Sequence, residues 1–264
     1  MASTINYREL LEDALKLDGE IATCYSLFHD YSFGNQMWLW FQFAGRGVKP
    51  CPVATYNRWK ELGRQIQKGS KAYRMCVPSI KTKIDEETGE KVIANVRFFD
   101  ASKWFALSDT DGEDFEQKVE IPEFSLSRVL ENLGIKQIDY DMIDGNCQGF
   151  CKIDTGDIAI SPLATDPIGT ACHEIAHSLL HAKKDGDIHD DRGIHECEAE
   201  SVSMLTCMAL GVITPQQKSE SVGYIKSFLK KCKDMDKEKL IDQCAKRIFS
   251  TVDKILKANK EVTA

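Results

Sequence analysis

Two imidazoles and a carboxylate stand together in the segment His173-Glu174-Ile175-Ala176-His177. Residues four apart on a helix share one face, one turn from each other. His173 and His177 can therefore offer two nitrogens to one metal ion, and Glu174 can reach a water on that ion. With the His and Glu content of this chain, such a pattern arises by chance in about one chain in a hundred. The expected cofactor is one zinc ion, Zn2+. A hydrolytic zinc site takes three protein ligands and leaves the fourth position to water. The metal lowers the pKa of that water toward about 7, Glu174 takes its proton as general base during attack on a carbonyl, and the proton passes to the leaving amine.

The third ligand has to come from the downstream cluster of Glu196, Glu198 and Glu200, or from His181, His189 or His195. On a helix Glu196 and Glu200 share a face, whereas Glu198 lies about 200° round from Glu196. The first pair offers a ligand and, one turn on, an acid able to hold a ligand imidazole by its far nitrogen. Glu196 is thus assigned as ligand and Glu200 as its support, with Glu198 facing solvent; Glu198 and Glu200 remain alternatives. His181 continues the His173/His177 face. As a fourth ligand it would close the site and make it structural; otherwise it caps or packs. His195 and Tyr224 are read as solvent or packing residues. Structural zinc sites favour cysteine-rich sets, so two His, a Glu and an intact Glu174 favour catalysis.

Several elements must position these groups. Asp166-Pro167 gives a cap and a first-turn proline for a helix over 167–183. A ligand-bearing helix is expected over 195–210, ended by Gly211, with further helices over 215–258. Residues 147–161 pattern as a hairpin turning at Thr155-Gly156, and 125–134 as a helix closed by Gly134. Upstream, apolar spacing predicts one or two helices over 5–29. A helix after Ser32 carries Met37, Trp38, Leu39, Trp40 and Phe41, apolar on nearly every side and so expected to be well buried. Thr55 caps a short helix ended by Gly63. Alternation over 72–77 suggests a strand, Thr88-Gly89 a hairpin tip, and 92–107 the returning strand. The acid-rich stretch 109–123 looks like a solvated linker. The fold class expected is α+β: an N-terminal α+β domain over 1–115 with a small antiparallel sheet, and a mainly helical domain with a β-hairpin over 116–264.

Composition bounds the function. The 264 residues are 42% hydrophobic and 28% charged, as in a globular protein. No apolar run is long enough to cross a membrane, and the acidic amphipathic N-terminus does not look like a signal peptide. The expectation is a cytoplasmic protein without membrane contact. Ten cysteines show no Cys-x-x-Cys pair and read as reduced, mostly buried thiols; Cys172 and Cys197 are taken as packing residues. The net charge of −7 is uneven. Residues 46–83 hold ten cations, among them Arg46, Lys49, Arg58, Lys60, Arg64, Lys68, Lys71 and Arg74, against Glu61 alone, which leaves +9 there and −16 elsewhere. Such asymmetry points to a polyanion. With Tyr56, Trp59 and Tyr73 interleaved, the stretch would suit a groove that tracks a phosphate backbone and stacks bases; the alternative is a solvated basic face over core aromatics.

Both halves resemble the ArdC-type antirestriction proteins. The N-terminal resemblance rests on Tyr31-Ser32, Asn35, Gln42, Ala54-Thr55, Trp59, Gly63-Arg64, Lys68-Gly69-Ser70-Lys71, Pro78 and the segment Phe105 to Thr110, where Asp109 replaces the Gln common in relatives. The C-terminal half resembles the zincin-type, gluzincin-like metallopeptidase domain often fused to it, through the His173–His177 helix and the Glu196–Glu200 helix. The match spans most of residues 1–212 and fades beyond. The resemblance implies a protein of a mobile genetic element that binds single-stranded DNA non-specifically, counters host restriction, and carries a zinc peptidase site whose partner is a protein substrate or host-defence protein. The alternatives are a DNA-binding shield whose zinc domain is a scaffold, and a regulatory peptidase that cleaves a repressor.

Overall fold

A computed structural model describes residues 5–17, 19–84, 91–116, 121–141, 147–182, 191–234 and 238–260. The fold is α+β, and the chain divides into two compact units. The first comprises Met1–Asn6 and Asn35–Lys118, the second Tyr7–Gly34 and Val119–Ala264. The boundary read from the sequence at 115/116 lies near the second crossing. Residues 7–34, assigned by sequence to the N-terminal domain, instead pack with the C-terminal unit.

The first unit is built on an antiparallel sheet in the order β1-β4-β3, with β1 at Val53–Thr55, β3 at Tyr73–Ile84 and β4 at Lys91–Ala106. Strand β3 runs well past the 72–77 stretch read from alternation; the turn expected at Thr88-Gly89 lies outside the described residues. As an edge strand, β3 presents unpaired backbone groups that a folded protein has to cover. Helix α3 (Phe33–Arg46) does this with two side-chain amides two turns apart. Asn35 Nδ2 donates to Cys76 O at 2.9 Å and its Oδ1 accepts from Cys76 N at 2.8 Å. Gln42 Nε2 donates to Arg74 O at 2.8 Å and its Oε1 accepts from Arg74 N at 2.9 Å. Met37, Leu39 and Phe43 of α3 are fully buried, while Trp38, Trp40 and Phe41 are only half-buried, fewer than uniform apolarity suggested.

Helix α4 (Tyr56–Glu61) starts where Thr55 Oγ1 accepts from Arg58 N. After it, β2 (Arg64–Ile66) pairs antiparallel with β5 (Thr110–Gly112). The acid-rich stretch therefore does not begin as a linker: its first part is a strand of this unit. The cause is local charge and hydrogen-bond complementarity. Arg64 donates from Nε to Thr110 Oγ1 at 2.8 Å, and from its terminal nitrogens to the carbonyls of Thr110 and Glu113. Gln67 Nε2 donates to Asp111 at 2.8 Å. The pairing also needs a glycine, since a Cβ on Gly112 (φ 146°) would lie 2.4 Å from Gly63 O.

In the second unit, α6 (Pro167–Leu180) lies against α7 (Arg192–Leu210), and α7 is covered in turn by α2 (Glu20–Phe28), α8 (Pro215–Asp234) and α9 (Glu238–Ala258). Helix α7 buries an almost unbroken run from Cys197 to Leu210. Helix α1 (Tyr7–Ala14) is fastened to α9: Tyr7 N donates to Asp242, Arg8 pairs with Glu238 at 2.7 Å, and the Tyr7 and Phe249 rings lie 6.1 Å apart. This is why residues 7–34 belong here. Helix α5 (Leu126–Leu133), capped by Ser125 and closed by Gly134, is tied to the end of α9 through Arg128 and Asn132, which donate to the carbonyls of Asn259 and Ala258. Strands β6 (Gly149–Cys151) and β7 (Ile158–Ile160) form the expected hairpin, turning at Gly156 (φ 77°), beside α6. Among the described residues no helix is long and apolar enough to cross a membrane.

Candidate metal centre

Helix α6 starts as the sequence dictates, with Asp166 accepting from Gly169 N and Pro167 in the first turn. It ends at Leu180, with His181 as its C-cap, and α7 begins at Arg192, three residues earlier than expected. Asp191 caps α7 by accepting from Gly193 N at 2.9 Å. The two helices bring three potential ligand atoms into one triangle. His173 Nε2 and His177 Nε2 are 3.0 Å apart, and Glu196 Oε2 lies 3.4 Å from the first and 3.7 Å from the second. Ligand atoms around a tetrahedral ion with bonds of ~2.0–2.1 Å sit roughly 3.3 Å apart, so this triangle has the size of one coordination face. Two neutral imidazoles and a carboxylate suit a divalent ion of the zinc type. Among the described residues this is the one group of that kind.

The triangle lies in the wall of an open cavity of about 1110 Å³. One side of that cavity is β6 with the residues just before it, another is α6 with Glu174, and α7 and α8 complete it with Glu200, Ser221 and Tyr224. Glu174 is buried, and burial raises its pKa against the lowering effect of His173 and His177. Backbone of β6 passes directly over it: a Cβ on Gly149 would meet Thr170 Cγ2 at 2.8 Å and Glu174 Cγ at 3.1 Å. The His173 and His177 rings beside it hold the Glu196 carboxyl well below the usual carboxylate range. Burial opposes protonation of His173, but the Glu196 and Glu200 carboxylates, each 3.4 Å from a ring nitrogen, outweigh that and push it up to about 9.

Glu200 stands one turn beyond Glu196. Its Oε2 is 3.4 Å from His173 Nδ1, the ring nitrogen turned away from the triangle, and its Oε1 accepts from Ser221 Oγ. Glu198 is not at the surface as helical phase suggested. It is buried, 1% exposed, with Oε2 2.9 Å from His181 Nε2 and Oε1 3.4 Å from Arg247 Nε. The phase argument assumed that the far side of the ligand helix meets water, whereas α7 is flanked there by α9. His181 is also buried; its Nδ1 faces His177 Nδ1 at 2.9 Å, behind the triangle, which leaves it outside the group of candidate ligands. The His195 ring stacks on His181 at 4.1 Å between centroids. Arg247, half-buried on α9, was not singled out from the sequence, since nothing in an amphipathic helix marks one arginine as turned inward. His189 lies outside the described residues.

In the first unit the cations separate into two sets. Arg46 lies over the Tyr73 ring at 3.7 Å and donates to the Lys71 and Ala72 carbonyls, Arg64 bridges to β5, and Arg74 pairs with Asp100. These three are engaged within the fold. Lys49, Lys60, Lys68 and Lys71 are exposed, as is Arg58, which pairs with Glu61 at 3.0 Å. Of the interleaved aromatics only Tyr56 is exposed. Trp59 is 1% exposed and donates from Nε1 to Phe105 O at 2.8 Å, and Tyr73 is held between Phe43 and Arg46. Neither has a face free to stack on a base; both belong to the core because α4 and β3 turn them inward. Two exposed aromatics were missed instead, Phe98 and Phe99 in β4. Their signal was two consecutive Phe in a strand otherwise read as returning to the core.

Residues 13–105 match the family described as the N-terminal domain of anti-restriction factor ArdC. An uncharacterized protein of Bacillus anthracis is 24% identical over 288 aligned positions, which cover 89% of this chain and 47% of that protein; the chain thus spans about half the length of that relative. The crystal structure of the metal-free antirestriction protein ArdC from plasmid R388 is similar over 96% of this chain and 97% of its own, at 18% identity and a TM-score of 0.54. The Mn(II)-bound structure of the same protein aligns over 98% of this chain and 100% of its own, at 19% identity and a TM-score of 0.49. Residues 13–105 thus match the ArdC N-terminal domain family, and the chain shares over almost its whole length the fold of the R388 protein.

Proposed function

We propose that this chain acts as an antirestriction protein of a mobile element, that its first unit binds single-stranded DNA without sequence preference, and that its second unit is a metal-dependent peptidase. The observation that carries the peptidase reading is the His173–His177–Glu196 triangle in a cavity wall shared with a buried Glu174. When bound there, a divalent ion, zinc by the donor set, supplies Lewis acidity to a water and to a carbonyl. Glu174 is the residue we assign as general base, taking a proton from the attacking water and returning it to the leaving amine; its raised pKa suits it to hold that proton between the two steps. Strand β6 lines the cavity and, among the described residues, pairs only with β7, so its other edge can take an extended peptide by strand addition.

For DNA, the supporting observations are the exposed Lys49, Lys60, Lys68 and Lys71 and the exposed rings of Tyr56, Phe98 and Phe99. Cations that track phosphates and rings that stack on bases are the two needs of sequence-tolerant single-strand binding. The deciding experiment compares wild type with Glu174→Gln for bound metal, single-strand affinity, peptide cleavage and restriction of incoming DNA. Metal and DNA binding are retained and cleavage is lost. Equal cleavage by both proteins would sink the catalytic assignment, and undiminished antirestriction without cleavage would make the second unit a scaffold for a DNA shield.

A further inference from the structure

Behind the metal triangle runs a buried line of polar groups that the reading above does not use. His177 Nδ1 faces His181 Nδ1 at 2.9 Å, His181 Nε2 faces Glu198 Oε2 at 2.9 Å, and Glu198 Oε1 faces Arg247 Nε at 3.4 Å. The side chains of His181 and Glu198 are 0% and 1% exposed. Arg247 comes from α9 and is itself held by donation from Nη2 to Leu180 O at 2.8 Å, at the end of the helix that carries His177. Every link is therefore on, or fastened to, a packed helix.

We propose that Glu198, acting through His181 and anchored by Arg247, fixes His177 as the tautomer with its proton on Nδ1, so that Nε2 faces the metal position with a free lone pair. A carboxylate paired with an arginine only accepts, so His181 Nε2 must carry a proton and donate it. In a neutral imidazole the other nitrogen is then an acceptor, which makes His181 Nδ1 accept. His177 Nδ1 must donate to it, and His177 Nε2 is left bare on the side of His173 and Glu196. Reversing the line would put a proton on Nε2, inside the triangle, and would set Glu198 Oε2 against the bare lone pair of His181 Nε2 in a buried site. The outer partner of a ligand histidine is commonly a carboxylate or carbonyl in direct contact; here a second histidine is interposed, and the anchoring charge comes from a helix more than fifty residues downstream in the chain. His181 and Glu198 are positioning residues in this scheme.

The inference rests on the reading of His177 as a ligand, but its central claim can be measured without metal. Long-range proton–nitrogen NMR of the metal-free full-length protein, with His177 signals identified by a His177→Gln variant, reports which ring nitrogen bears the proton. Wild type shows Nδ1–H at His177. His181→Phe, which offers no acceptor, moves the proton to Nε2 and weakens Zn2+ or Mn2+ binding by roughly 10- to 100-fold. His181→Asn, whose Oδ1 takes the place of Nδ1 as acceptor, restores both. Circular dichroism and melting verify the fold; should His181→Phe not fold, the contrast between His181→Asn and Glu198→Gln decides, the latter losing affinity and showing mixed tautomers. An Nε2–H signal at His177 in wild type overturns the proposal, as does unchanged affinity and tautomer in the folded variants. Nδ1–H in a wild type that takes up no divalent ion, reversed by His181→Phe, upholds the relay and overturns the metal reading instead.

Discussion

Glu200 addresses the back of His173: its Oε2 lies 3.4 Å from Nδ1, on the ring edge opposite the Nε2 that points at His177 and Glu196. The helical spacing that puts Glu196 at the triangle puts Glu200 one turn on, where Ser221 Oγ also donates to it. The two imidazoles of the triangle are thus flanked differently, His173 by a carboxylate in direct reach and His177 by His181.

Removing that support weakens the metal without deleting a ligand. Glu200→Ala is expected to lower divalent-ion affinity by roughly 10-fold and Glu196→Ala by considerably more. Competition titration against a chromophoric chelator separates the two. A larger loss for Glu200→Ala than for Glu196→Ala would mean that Glu200, not its neighbour, is bound.

Metal uptake should also depend on pH in a stated direction. His173 is pushed up to about 9 by Glu196 and Glu200 against the effect of burial. Below that value the ion has to displace a proton, so affinity rises with pH at about tenfold per unit and levels off above it. In the metal-free protein the sign is opposite. A histidine raised from 6.5 contributes its stability fully below 6.5 and loses it as pH rises through about 9. Chelator titrations and urea melts between about pH 6 and 10, the window set by those two values, test both limbs.

Trp59 and Tyr56, three residues apart on α4, should behave in opposite ways. Trp59→Ala opens a cavity and strands the Phe105 carbonyl, at a cost of about 3–5 kcal/mol to the first unit. Tyr56→Ala or Phe98→Ala leaves stability within about 0.5 kcal/mol and weakens single-strand binding by ~1–3 kcal/mol for each base that stacks. Thermal melts beside fluorescence anisotropy with an oligonucleotide give both quantities. A Tyr56 or Phe98 variant that binds as well as wild type removes that ring from the interface.

Exposed and engaged cations should likewise separate. Lys68→Ala or Lys60→Ala is expected to reduce the slope of log K against log salt by about 0.7 for each phosphate that the lysine neutralises, with the fold intact. Arg64→Ala instead frees β5 from β2, since Arg64 holds Thr110 and the Glu113 carbonyl. Salt titrations read the first effect, and hydrogen exchange at Gln65 and Asp111 the second.

Gly112→Ala tests the same pairing from the other strand. Its Cβ would fall 2.4 Å from Gly63 O, so β2 and β5 must separate or strain. A destabilisation of about 1–3 kcal/mol is expected, read by thermal melting. An unchanged melting temperature would show that the β2–β5 pair contributes little.

Much of the metal triangle follows from spacing alone. His173 and His177 share a face because any helix places residues four apart together, and the same rule separates Glu196 and Glu200 from Glu198. Caps at Asp166 and Thr55, the helix stop at Gly134 and the turn at Gly156 were legible for the same reason: each depends on a local backbone geometry that one residue type supplies. What neighbours a helix on its far side is not local. Glu198 looked solvent-facing until α9 covered it and brought Arg247 to meet it; Trp59 and Tyr73 looked available for stacking until α4 and β3 turned them into the core. Helix α1 joined the distant C-terminal unit through Asp242 and Phe249, residues more than two hundred positions away in sequence, and α2 joined it through α7. Periodicity gives the face a residue lies on, but burial and charge pairing depend on which element comes to lie against that face, and only the tertiary structure decides that.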